Sequence, residues 1–124
     1  MGAQLTRQLL PTLPEDCELT CVGVNALATG AMLKAGAARG ATGENALIYN
    51  VQRAQVILGP IGMILANGLL GEVSPAMAAA VSGADCPKVL IPSAACGVTV
   101  AGTQELKLEE YIRLAAEQAG RLLR

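Results

Sequence analysis

The sequence predicts an α/β fold of three layers, with helices on both faces of a mainly parallel sheet. Short β-rich runs alternate with helical segments, and the segments between strands are too long for hairpins. Hydrophobic residues make up 52% of the 124 residues and charged residues only 15%, a balance typical of buried strands or of an oligomer. The length suits one domain, residues 1–124.

A first strand is predicted at residues 19–24, between two helices. The opening "MGAQLTRQLL" places Leu5 and Leu9 on one helical face, and Pro11 ends that helix. The helix after the strand begins at Ala26 and ends near Gly36.

A third helix follows the segment "ARGATGENA". Thr42 is predicted as its cap, and Glu44 lies in its first turn, where a carboxylate faces the positive end of the helix dipole. The same segment concentrates polar residues. It is either a capped helix start with a solvated loop, or a loop that folds over the strand ends and supplies specificity. The second interpretation makes ligand-binding candidates of Arg39, Thr42, Gly43, Glu44 and Asn45.

The second half of the chain predicts two strands and two helices. Residues 55–58 form a strand that Gly59-Pro60 ends, and "SPAMAAAVSGA" forms a helix capped by Ser74. "KVLIP" is a strand stopped by Pro92, and "VTVAG" is predicted as a further short strand. The last helix, "KLEEYIRLAAEQAGRLLR", is amphipathic, and its inward side chains are predicted to be Leu108, Tyr111, Ile112, Ala115, Ala119 and Leu122.

Residues 54–71 carry no charge, a length at the lower limit for a membrane helix. Four glycines and Pro60 interrupt the run, so it is better read as a buried strand, a sharp turn at "GPIG" and a second apolar element at residues 63–66. Periodicity leaves that element open between a helical turn and a short strand.

Composition limits the chemistry. The net charge is −1, which gives no footprint for nucleic acid or for an anionic membrane. The chain has no His, so it lacks the usual base near neutral pH and the commonest nitrogen ligand of zinc, and no metal site is predicted. The four cysteines form no C-x-x-C pair, which favours a reducing, cytoplasmic setting. No particular cofactor is indicated.

Glycines and small polar residues follow the predicted strands, where ligands gather in open α/β sheets. Small side chains let backbone N–H groups approach a phosphate or carboxylate. The alternative is that the glycines only permit tight turns. The further candidates for ligand binding are Asn25, Thr29, Gly59, Pro60, Gly62, Ser93 and Cys96.

The motifs "ATGENA", "GPIG", "ANGLLGEVSP" and "VLIP" resemble a family of small bacterial Rossmann-like proteins catalogued as domain of unknown function 3842. The resemblance extends from Gly2 to about Glu117 and implies a fold but no reaction. It also implies a hydrophobic strand and a glycine-rich turn before the first helix. "MGAQL" is similar to the tail of that turn, so the first strand and most of the glycines are expected to be missing from residues 1–124, an N-terminally truncated domain. That strand would be central. The strands at residues 19–24 and 55–58 are therefore expected not to pair directly, and to lie two strand spacings apart, roughly 9.6 Å.

Three functions follow from the sequence. The first is binding of a small phosphorylated metabolite or nucleotide at the carboxyl ends of the strands. The second is a homo-oligomeric interaction protein without catalysis, favoured by the apolar composition. The third is an enzyme that uses Glu44 as acid or base, or Cys96 as nucleophile, with Asn25 or Asn45 orienting the substrate.

Overall fold

The computed structural model describes residues 1–93 and 97–124. Its strands form two separate two-stranded parallel sheets, so the predicted α/β class and parallel pairing are confirmed. The strands are β1 (Thr20–Gly23), β2 (Arg39–Thr42), β3 (Ile57–Pro60) and β4 (Lys88–Ile91). The α-helices are α1 (Gly2–Leu9), α2 (Ala26–Lys34), α3 (Glu44–Val51), α4 (Pro75–Ser82) and α5 (Leu108–Leu123), with 3-10 turns at Leu10–Thr12 and Ile61–Ile64.

Helices cover both faces of β3, which gives the predicted three layers. Ile57 packs with α3 and α4 in the first core cluster, whereas its neighbour Leu58 packs against the second cluster, under α1 and α5. Successive side chains of a strand point to opposite faces, so one strand serves both clusters. The buried members of the first cluster are Leu47, Ile57, Val73, Met77, Ala78 and Val81; those of the second are Leu5, Ile91, Ile112 and Ala115.

The two sheets are not joined to each other. β1 pairs with β2 and β3 pairs with β4, and β1 does not pair with β3. The absence of direct pairing agrees with the expectation drawn from the family resemblance. The separation of about 9.6 Å stays a prediction.

The strand β2 corrects the sequence analysis. Its residues, RGAT, were expected to be a loop ending in a helix cap at Thr42, but they pair in parallel with β1. The residue that precedes α3 is Gly43, whose φ of 97° suits glycine and whose N–H donates to the carbonyl of Gly23 at 3.0 Å. Pairing with β1 outweighs the weak intrinsic strand preference of Gly and Ala.

The strand β3 begins two residues later than predicted and continues through Pro60. Ile57 donates its N–H to the carbonyl of Pro87 at 3.1 Å, so odd-numbered residues of β3 face β4 and even-numbered ones face away. The missing N–H of Pro60 therefore costs no ladder hydrogen bond. The apolar element that follows is the 3-10 turn at Ile61–Ile64, and the uncharged run is not one continuous helix.

Two further expectations are wrong. "VTVAG" forms no strand, and Val98 and Val100 are exposed. In α5, Leu108 and Leu122 are also exposed, whereas Ile112, Ala115 and Ala119 are buried as predicted. Among the described residues, no helix combines the length and the hydropathy needed to cross a membrane.

Candidate functional site

The carboxyl ends of β1 and β2 lead directly into two helix starts. Gly23 is followed by Asn25, the cap of α2, and Thr42 is followed by Gly43, the cap of α3. The start of α4, capped by Ser74, comes to the same place through side-chain hydrogen bonds. We call this convergence of three helix N-termini the strand-end rim.

On one side of the strand-end rim, Asn25 forms hydrogen bonds through both the oxygen and the nitrogen of its side-chain amide. Its Oδ1 accepts from the N–H of Ala28 at 2.9 Å, which caps α2. Its Nδ2 donates to Oε2 of Glu72 at 3.2 Å. The Glu72 carboxylate therefore lies at the positive end of the α2 dipole, where negative charge is stabilised.

Ser74 and Glu44 hold the other side. The Ser74 hydroxyl donates to Oε1 of Glu44, and Oγ of Ser74 accepts from the N–H of Met77 at 3.2 Å. Because Glu44 lies in the first turn of α3, one carboxylate links the starts of α3 and α4. Each carboxylate of the rim thus already has a hydrogen-bond donor.

Replacement of Ser74 by alanine removes the cap of α4 and the donor to Glu44. We expect the free energy of unfolding to fall by about 1 kcal/mol. Ser82, at the other end of α4, is exposed and makes a longer bond of 3.4 Å to the carbonyl of Ala79. Ser82→Ala is the matched control in urea denaturation, and an equal loss in both variants would contradict this role for Ser74.

Thr29 supports the rim from beneath. Its buried hydroxyl lies 3.2 Å from the carbonyls of both Asn25 and Ala41 and 2.8 Å from the hydroxyl of Thr42. One hydroxyl can donate to a carbonyl while it accepts from the other hydroxyl, so Thr29 and Thr42 satisfy each other. These two candidates join α2 to β2.

The "GPIG" segment packs mainly against its own continuation. A Cβ added at Gly59 would meet Sδ of Met63 at 2.2 Å, and one at Gly68 would meet the carbonyl oxygen of Gly62 at 2.3 Å. Gly62 is itself buried. The glycines here allow close chain packing within the segment after β3, as the turn interpretation expects.

The remaining candidates fall in different places. Asn45 is exposed in the first turn of α3, and Ser93 follows β4 at its carboxyl end. Arg39 begins β2, at the opposite end from the rim, and pairs with Glu18. Cys96 lies outside the described residues.

The sequence analysis missed Glu72 and gave Ser74 only a capping role. Glu72 is the first charge after the uncharged run and follows a turn in which Asn67, Leu69 and Leu70 have positive φ. Such backbone is uncommon for residues other than glycine. A charge directly after a turn was the available signal, but its partner Asn25 is 47 positions away.

A cleft of about 480 Å³ lies at the other end of the strands, between the last turns of α3 and α4. Its walls are mostly small side chains, with Gln52 and Asp85 as polar members and Cys86 beside them. None of the candidate residues lines it.

Cys21 is the buried cysteine among the three that the structure describes. Burial raises the pKa of the Cys21 thiol and outweighs a backbone hydrogen bond that lowers it, which disfavours the thiolate. Cys17, Cys21 and Cys86 are free. Within residues 1–93 and 97–124, no three Cys, Asp or Glu side chains come together as a metal-ligand set.

Comparison with known proteins places the chain in one family. The family model described as a domain of unknown function (DUF3842) matches residues 1–124, and the chain belongs to that family. No curated protein and no solved structure matches it.

Proposed function

We propose that this member of the DUF3842 family binds a small phosphorylated metabolite or nucleotide at the strand-end rim. The observation that supports the proposal is the convergence of the N-termini of α2, α3 and α4. The start of a helix carries roughly half a positive charge, and first-turn N–H groups that no cap engages favour phosphate there.

The rim carboxylates determine how an anion would enter. Glu72 and Glu44 now balance the helix dipoles, and a phosphate beside both would be repelled. Glu44 is fixed in the first turn of α3, whereas Glu72 follows an exposed turn that contains Leu70 and Gly71. We therefore propose that the phosphate takes the place of the Glu72 carboxylate on Asn25.

The test is a calorimetric titration of the protein with inorganic phosphate and, separately, with ADP. Glu72→Gln should strengthen binding by about two- to fivefold, because it removes the competing charge. Asn25→Ala should weaken binding, because it removes the amide donor and the cap of α2. Glu15, which is exposed and precedes β1, is not one of the rim residues, so Glu15→Gln is the matched control and should bind as the unmodified chain does.

Two results would contradict the proposal. The first is an absence of binding by every variant. The second is weaker binding by Glu72→Gln, since that would mean that the ligand needs the carboxylate, as a cation does.

Catalysis is left out of this proposal. The carboxylate of Glu44 is engaged by Ser74, and the other catalytic candidate, Cys96, lies outside the described residues. The free cysteines support a reducing, cytoplasmic setting as part of the proposal.

A homo-oligomer is the second candidate function, and one observation favours it. The strand β4 pairs with β3 along one edge, and its other edge has no strand partner in the described part of the chain. The free edge of β4 is a different surface from the strand-end rim, so ligand binding and self-association are compatible.

A further inference from the structure

The outer edge of β4 offers unpaired backbone groups. Val89 and Ile91 face β3 in the ladder, so the N–H and C=O groups of Lys88 and Leu90 point outward. Over residues 1–93 and 97–124, these outward groups make no backbone hydrogen bond. An open strand edge of this kind is a template for pairing with another strand.

An apolar groove of about 210 Å³ runs beside this edge, between β4 and α5. Val89 and Leu90 line one side, and Tyr111, Leu114 and Gln118 line the other. The groove has no charged lining residue, and Leu114 is 41% exposed. Side chains of an added strand would therefore meet apolar surface on the α5 side.

The charge of Lys88 does not oppose strand pairing at this edge. The ammonium group of Lys88 turns back to the carbonyls of Ala84 and Cys86, at 2.6 and 3.2 Å. The outer edge of β2, by contrast, begins at the exposed ion pair of Arg39 with Glu18. The apolar groove beside β4 is the feature that selects its edge over the edges of β1 and β3 that are free in the described part of the chain.

We propose that two copies of the chain associate through antiparallel pairing of β4 with β4 of the second copy, around a two-fold axis at Val89. This inference rests on the homo-oligomer proposed above and specifies its interface. Lys88 of each copy pairs with Leu90 of the other, so four hydrogen bonds satisfy all the outward groups of both strands. Such an isologous contact closes at a dimer.

The register of the pairing between the two β4 strands follows from the charge of Lys88 and from Pro92, which has no N–H. An axis at Lys88 would pair the two lysines directly opposite each other, which is unfavourable for like charges. An axis at Leu90 would pair Lys88 with Pro92, which has no N–H to donate. The axis at Val89 avoids both costs and brings the two Val89 side chains together on the α5 face.

Cysteine cross-linking tests the register. At a non-hydrogen-bonded antiparallel pair the two Cα atoms lie about 4.5 Å apart, within the range of a disulfide. With diamide as oxidant, Val89→Cys should give a covalent dimer at least about tenfold faster than Leu90→Cys, whose cysteines lie diagonally across the axis. The unmodified chain measures the background from its own cysteines.

Sedimentation velocity across a dilution series tests the surface. The unmodified chain should be a dimer that dissociates on dilution. Leu114→Lys should weaken the dimer at least about tenfold, because an ammonium group would be desolvated in the groove. Leu122→Lys is the matched control, since Leu122 is 43% exposed on the same helix but does not line the groove.

A monomer at all concentrations would overturn both the homo-oligomer and this interface. A dimer that responds equally to Leu114→Lys and Leu122→Lys, or that cross-links equally through residues 89 and 90, would overturn the interface alone. Circular dichroism of each variant confirms that a loss of dimer is not a loss of fold.

Discussion

Replacement of Ile112 by alanine is expected to lower the free energy of unfolding by about 3 kcal/mol. Ile112 is 2% exposed and lies in the second core cluster with Leu5 of α1 and Ile91 of β4. It therefore joins three elements. Deleting its methyl and methylene groups removes their burial and leaves a cavity. The packed elements around the cavity can move into it only in part.

Urea denaturation measures this loss, and Leu122→Ala is its control on the same helix. Leu122 is 43% exposed, so its truncation should change the stability by no more than about 0.5 kcal/mol. Similar midpoints for the two variants would mean that α5 does not pack on β4 as the structure has it.

Replacement of Gly23 by alanine is expected to cost about 2 kcal/mol and to disturb the strand-end rim. A Cβ at this position would lie 2.3 Å from Oγ1 of Thr29, 2.6 Å from its backbone nitrogen and 2.9 Å from the carbonyl oxygen of Asn25. Two of these atoms are backbone, so no side-chain rotation relieves the overlap. The start of α2 would have to move away from β1.

Gly30→Ala, in the middle of α2, is the matched control. A Cβ there meets nothing within 4 Å, and alanine is favoured over glycine inside a helix by about 1 kcal/mol. Gly23→Ala should therefore unfold at a lower urea concentration than the unmodified chain, and Gly30→Ala at a higher one. If Gly23→Ala were as stable as Gly30→Ala, the close approach of α2 to β1 would be wrong.

Local signals predicted the elements whose ends are set by their own residues. Ser74 caps α4 in the structure as assigned from sequence, and α2 begins at Ala26 as predicted. The apolar run "KVLI" likewise forms β4. In each case the determining interaction is within a few residues, so the sequence contains both partners.

Elements that depend on a distant partner could not be predicted in this way. The residues RGAT have weak strand preference and become β2 because β1 lies beside them. "VTVAG" has strong strand preference but finds no partner strand. Intrinsic preference is small compared with the gain or loss of a whole ladder of hydrogen bonds.

The sequence by itself determined the α/β class, the parallel strands and the helices that their own caps define. The tertiary structure decided which polar groups meet at the rim, because Asn25 reaches Glu72 across 47 positions and Ser74 reaches Glu44 across 30. The physical reason is the separation along the chain between the two partners of each contact. Caps and turns are satisfied by neighbours along the chain, whereas contacts between helix starts exist only after α2, α3 and α4 have packed onto their strands.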